Sequence, residues 1–188
     1  MPAYADITVA LLAAGQGVRF GSDKLLAEID GEPLGLKAAK KLMEISCGSH
    51  FAVCRSDSVL SEQFADLGFT VVRNDEPERG QAHSLHLAVQ AAMTTDAKAL
   101  LVALADMPFV STAHLTALVA GYDGEITAST HGQSPMPPAI FPRESWPDLL
   151  VTSGDTGARA LLKNAAVVLC AESELRDIDT PADLPASN

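Results

Sequence analysis

Residues Leu11–Lys24 read LLAAGQGVRFGSDK, an apolar run that ends in three glycines, an arginine and a lysine. Gly15, Gly17 and Gly21 permit positive φ and let a ligand approach the backbone. Backbone N–H groups at the end of a buried strand make a cradle for phosphate. Arg19 and Lys24 add positive charge beside it. Asp106, in LADMPFV, follows a second apolar run, and Pro108 prevents that strand from continuing. A carboxylate there suits Mg²⁺, which neutralises the charge of a triphosphate and of a transition state at phosphorus. Asp177 and Asp179, in RDIDTPADL, alternate in a way that puts both on one side of an extended segment. Either could complete a metal site with Asp106.

Each of these residues also has a plainer reading. The glycine segment could be a surface turn with two solvated cations, and Asp106 a helix cap or loop aspartate. In SGDTGARALL, Asp155 or Thr156 suits a helix N-cap, with Arg159 on the first turn as a surface residue or a ligand contact. Thr180–Pro181 reads as the start of a helix, with Thr180 as its cap. The spacing GxxxxGK[ST] is absent, which argues against a Walker-type loop. Gly15-Gln-Gly17-Val-Arg-Phe-Gly21 is a loosened dinucleotide fingerprint. The second strand of such a site ends in an acidic residue, whereas here Cys54-Arg55 stand there. Arg55 could still suit a 2′-phosphate, so an NADP-linked oxidoreductase stays open. His83, His86, His114 and His131 lack metal spacing and read as surface or core histidines.

The elements that position these groups follow from the apolar pattern. Ile7–Ala14, His50–Cys54, Phe69–Arg73, Ala99–Asp106, Glu125–Ser129, Ala139–Phe141 and Ala166–Cys170 read as strands. Gly31–Ile45, Val59–Asp66, Gln81–Met93, Thr112–Ala120 and Thr156–Lys163 read as helices, and His131–Pro138 as loop. Continuous apolar strands alternating with helices imply a mostly parallel sheet covered on both faces, with ligands at the carboxyl ends of the strands. No linker breaks the alternation, so residues 1–188 are expected to form one domain.

Composition narrows the function classes. The net charge of −11 argues against long nucleic acid, which needs a dense basic surface, but not against a mononucleotide. Cys47, Cys54 and Cys170 lack metal or disulfide spacing and read as small buried hydrophobes of a reducing compartment. No basic segment precedes the first apolar run, which is too short to span a bilayer. A soluble cytoplasmic protein with no membrane partner is expected.

Taken in order, the motifs resemble the molybdenum-cofactor nucleotidyltransferases, most closely the cytidylyltransferase branch. LAAGQGVRFGSDKLL matches that family's opening LAAGxGxRFGxxKLL, Leu104-Ala-Asp106-Met-Pro108 its LxDxP, and Gly154–Arg159 and Asp177–Leu184 its GDxGAR and DIDTPxDL. The resemblance implies a Rossmann-like three-layer α/β/α nucleotidyltransferase fold. It further implies transfer of CMP from CTP to the phosphate of molybdopterin, with release of pyrophosphate. Arg19, Lys24 and Asp106 would be the catalytic residues. Leu12, Ala13, Ala14, Gly15, Gly17, Gly80 and Ser84 would join Arg19 and Lys24 around the nucleotide. Asp106 with Asp177 or Asp179 would hold Mg²⁺.

Ala14, where related sequences carry glycine, hints at cytosine over guanine. The chain departs from the family in Gly132–Phe141, which has no histidine after its first glycine, and at Gln81-Ala-His83-Ser84, which is poorer in serine. Both fall where acceptor or base would sit, so GTP or another acceptor stays open. The partners implied are a nucleoside triphosphate, a molybdopterin-type acceptor and, transiently, a molybdoenzyme or its chaperone. A non-catalytic nucleotide-sensing partner of molybdoenzymes is the remaining alternative.

Overall fold

The computed structural model describes residues 4–15, 17, 20–154 and 158–185. The chain begins its sheet with β1 (Ile7–Ala13), followed by a short hairpin of β2 (Glu28–Ile29) and β3 (Glu32–Pro33) and then α1 (Leu34–Met43). It continues through β4 (His50–Arg55), α2 (Ser61–Asp66), β5 (Thr70–Asn74), α3 (Gln81–Met93) and β6 (Ala99–Leu104). The second half holds α4 (Thr112–Gly121), β7 (Thr127–Thr130), β8 (Met136–Pro142), α5 (Trp146–Leu150) and β9 (Ala166–Leu169). Seven strands form one sheet in the order β5-β4-β1-β6-β8-β7-β9. β8 runs antiparallel to both neighbours, and the remaining pairings are parallel.

β1 is buried at every position because its alternate side chains meet helices on both faces. Ile7, Val9, Leu11 and Ala13 pack with Leu34, Ala39 and Leu42 of α1, Phe64 of α2 and Leu115 and Leu118 of α4. Ala10, Leu12 and Ala14 pack on the other face with Leu85, Ala88, Val89 and Ala92 of α3 and with Trp146 and Leu149 of α5. Each fully buried leucine contributes roughly 1.5–3 kcal/mol, and the result is three layers, α/β/α, around a largely parallel sheet. Among the described residues no helix is long and apolar enough to cross a membrane.

Several elements differ from the expected boundaries. The helix expected from Gly31 starts only at Leu34, because Glu32–Pro33 pair with Glu28–Ile29 and Pro33 becomes the residue before the first turn. β8 reaches back into the expected loop 131–138. Pro137 and Pro138 lie beyond the pairing with β6, which runs from Val102 and Ala139 to Ala99 and Pro142. They also lie where the β7–β8 register shifts between Ala128 and Ser129, so the missing N–H groups cost the ladder little. α5 falls between the expected strand Ala139–Phe141 and the expected helix Thr156–Lys163, where the apolar pattern assigns no element. Of the expected helix Thr156–Lys163, the described part holds a 3₁₀ segment at Leu161–Asn164; its first two residues and the expected cap Asp155 lie outside the described residues. The helix expected after Pro181 is a 3₁₀ turn, Pro181–Asp183. Of the cysteines, Cys54 is buried as expected, while Cys47 and Cys170 are only partly so.

Candidate active site

The parallel register brings the strand ends into one row. Leu12 of β1 lies beside Leu104 of β6, Ala13 beside Cys54, and Arg55 of β4 beside Asn74 of β5. The glycine segment, Asp106 and the turn before α3 therefore leave the sheet along the same edge. They surround a cleft of about 540 Å³, lined in part by Leu12, Ala14, Gly15, Gly17, Lys24, Gly80, Ser84, Asp106, Asp177 and Asp179. That volume falls within the range of small-molecule sites. The Ala13 side chain packs in the core on the opposite face of the sheet, so the contact expected there is one of its backbone. Arg19 lies outside the described residues.

The glycine segment is held by backbone packing. Gly17 has φ +59°, and a Cβ there would stand 2.7 Å from the Ser22 carbonyl oxygen and 3.3 Å from the Lys24 nitrogen. Only glycine fits so close an approach. Asp23 caps the 3₁₀ turn Lys24–Leu26 through a bond from the Leu25 N–H to its Oδ1, 3.1 Å.

Lys24 is not the exposed loop lysine that its setting among glycines suggests. It is 7% exposed, and its Nζ donates to Asp106 Oδ2 at 2.6 Å and to Asp179 Oδ1 at 3.1 Å. Burial alone would lower its pKa, but the charge and hydrogen bond of Asp106, then those of Asp179, outweigh it and keep the ammonium above its ordinary value.

The carboxylates are set by backbone bonds. The Ala105 N–H extends the β1–β6 ladder to the Leu12 carbonyl, 3.0 Å, which places Asp106 just past the sheet. The Ile178 N–H donates to the Asp106 carbonyl, 2.9 Å, and the Ile178 side chain is fully buried. Asp177 and Asp179 thus flank Asp106. The turn behind them is closed by Asp183, whose Oδ2 accepts from the Thr180 N–H at 2.7 Å and from the Thr180 hydroxyl at 2.8 Å. Thr180 is thus the N-cap residue of a capping box in which it donates and the Asp183 carboxylate accepts. Partial desolvation within the cleft, then the neighbouring charges of Asp179 and Asp106, push the Asp177 carboxyl above its usual range.

A divalent cation fits this donor set. Carboxylate oxygens are the hard ligands that Mg²⁺ prefers, and Asp106 Oδ1 is buried with no hydrogen-bond partner among the described residues. Among those residues no three His, Cys, Asp or Glu side chains converge as a ready-made metal cage. The Lys24 ammonium stands between two of the three carboxylates.

On the far wall, Gly80 has φ +81° and precedes α3, whose N-terminal residues Gln81 and Ser84 reach the cleft. Asn74, fully buried at the end of β5, donates from Nδ2 to Ser84 Oγ at 3.0 Å and accepts from the Glu76 N–H at 2.9 Å. This supporting residue was not legible in the sequence, nor were Pro77 and Glu78, which also line the cleft. Arg159, open between surface and ligand roles, lines both this cleft and a smaller apolar cavity of about 130 Å³ beside it. Met136, Pro137, Phe141 and Leu85 wall that cavity.

The comparisons agree with this architecture. Residues 9–171 match the MobA-like NTP transferase domain. The chain is 31% identical over 186 residues to the purine catabolism protein PucB of Bacillus subtilis (strain 168), covering 92% of this chain and 91% of that one. Its fold is similar to Rv0371c from Mycobacterium tuberculosis H37Rv, with TM-score 0.82, 23% identity, and 97% and 96% of the two chains covered. It is also similar to a nucleotidyl transferase from Methanothermobacter thermautotroptrophicus, with TM-score 0.79, 21% identity, and 94% and 93% covered. The match over residues 9–171 and the Bacillus relative show the family: the chain belongs to the MobA-like NTP transferase family of nucleotidyltransferases.

Proposed function

We propose that the chain transfers CMP from CTP to the terminal phosphate of a molybdopterin-type acceptor, releasing pyrophosphate. The observation that carries this reading is the single cleft in which the glycine segment, Lys24 and three aspartates stand opposite Gly80 and Ser84. Backbone N–H groups from Gly15 onward, with Lys24 and Arg19, would receive the triphosphate and the charge that builds on the departing pyrophosphate. A phosphate oxygen of the acceptor attacks the α-phosphorus in line. The bond from the α-phosphorus to its bridging oxygen breaks, and the electron pair leaves with pyrophosphate. No protein nucleophile is required, so the residues act by position and charge. Asp106 with Asp177 or Asp179 would hold Mg²⁺, which supplies charge neutralisation at the phosphates.

Ala14 and Ser84 border the space for the base, and the Ala14 methyl narrows it against a purine by a small margin. The smaller cavity shares Leu12, Leu104, Arg159 and Asp177 with the cleft, and its apolar walls would receive part of a flat heterocycle of the acceptor. The Bacillus relative is named for purine catabolism, a name that specifies neither nucleotide nor acceptor. The test is to incubate the protein with Mg²⁺, each of CTP and GTP, and molybdenum cofactor, following pyrophosphate and the mass of the product. A cytidine dinucleotide product is expected. Pyrophosphate with GTP alone would move the base assignment, and none with either would remove this acceptor.

A further inference from the structure

Arg55 is the residue that the sequence left free for a 2′-phosphate, and the structure gives it other work. Its guanidinium makes three bonds. Nη1 donates to the Gly15 carbonyl at 3.3 Å, Nη2 to Asp23 Oδ2 at 3.0 Å, and Nε to Asp57 Oδ1 at 2.9 Å. Gly15 opens the glycine segment and Asp23 closes it. The other oxygen of Asp23 caps the turn that carries Lys24. The Arg55 and Asp23 side chains are 18% and 15% exposed, so this pair is largely shielded from competing water.

We propose that Arg55 is a positioning residue of the nucleotide loop: its planar fork ties both ends of the glycine segment to the end of β4 and so fixes where Lys24 stands. A lysine at the same place could meet one of these acceptors but not all three, because an ammonium is a point charge without a fork. Asp57, more exposed, orients the fork from behind and leaves its two terminal nitrogens for the loop. The guanidinium is committed to these partners, which leaves no role for it as a 2′-phosphate receptor. The effect on turnover rests on the reading of Lys24 as a triphosphate ligand, whereas the effect on the loop does not.

The experiment uses Arg55→Met, Arg55→Lys and Asp23→Asn in the full chain. Amide hydrogen exchange of the ligand-free protein reads the strap directly. In Arg55→Met, exchange across Leu11–Leu26 should rise at least tenfold, with β6 and α3 unchanged. With Mg²⁺ and the triphosphate that wild type prefers, kcat/KM should fall about 10–100-fold. Arg55→Lys should recover only part of that loss. The Asp23→Asn and Arg55→Met losses should not add, since both open the same strap. Wild-type exchange in Leu11–Leu26 together with wild-type triphosphate affinity in Arg55→Met would overturn the proposal. So would faster exchange spread over the whole sheet with unchanged kcat/KM at temperatures where the variant is folded. If wild type prefers a triphosphate other than CTP, the cytidine assignment fails while the strap is judged on its own two readouts.

Discussion

The two sides of the sheet are built differently. On one side β5, β4, β1 and β6 run parallel, and β1 is buried along its entire length. On the other, β8 runs against its neighbours and β9 ends the sheet with Val167 52% and Leu169 70% exposed. The groups suited to triphosphate and cation, from Gly15 to Lys24 and Asp106, stand on loops of the first side. The second side supplies Met136, Pro137 and Phe141 of the apolar cavity. On the proposed function the difference assigns the tasks: charge handling would rest on the doubly covered parallel strands, and contact with the acceptor on the antiparallel strand β8 where its register shifts.

The largest effect expected is on the first side. Asp106→Ala should lower pyrophosphate release by at least ~10³-fold while the protein keeps its fold, since Lys24 retains Asp179 as a partner. Wild-type turnover in that variant would remove Asp106 from the chemistry. Next comes Lys24→Ala. It should lose transfer and also lower stability by about 1 kcal/mol, because two part-buried carboxylates are left without their shared cation. Mg²⁺ should raise the melting temperature of this variant more than that of wild type, and an equal rise in both would argue against a cation site at these aspartates.

The other side should behave in the opposite sense. Met136→Ala should raise the acceptor KM by about tenfold, as removal of apolar contacts does, and leave triphosphate affinity unchanged by calorimetry. A matching loss of triphosphate affinity would break the division between the two sides.

The smallest effect concerns His114, which is 5% exposed beneath β7, with Nε2 2.8 Å from Ser129 Oγ. Ser129 donates its own proton to the Pro138 carbonyl, 2.8 Å, so the Nε2–H of His114 is the donor to it. Burial pulls the His114 pKa below its ordinary value, and Glu174 opposes this only in part. In the window below 6.5 the unfolded chain binds the proton more readily than the folded one. Stability is therefore full above that window and falls as pH drops through it. His50 acts in the same sense. His114→Gln should flatten, without abolishing, the fall in melting temperature between about pH 7 and pH 5.

Legibility in the sequence followed the same division. The buried parallel strands and α3 were readable from apolar runs and helical spacing, because burial on both faces leaves an unbroken signal. The three-layer fold followed from them. β8 was partly hidden because its prolines read as loop until the bulge that accommodates them is seen. α5 was missed because Pro147 stands in its first turn, within a segment too short to show a period. The placement of Lys24 was illegible for a different reason. Its partners Asp106 and Asp179 lie 82 and 155 residues away, so only the fold reveals that a lysine among glycines is buried. Asn74 and Arg55 were illegible as supports because each acts through another residue's side chain or backbone.

The most direct test of the central claim is a melting-temperature panel of CTP, GTP, ATP, UTP and NADPH, each with and without Mg²⁺. A ligand of the folded state raises stability by mass action, by about 2.7 kcal/mol at a hundredfold excess over Kd. The account predicts the largest rise with CTP, dependent on Mg²⁺ and lost in Asp106→Ala. A rise with NADPH alone, indifferent to Mg²⁺ and to Asp106, would contradict it.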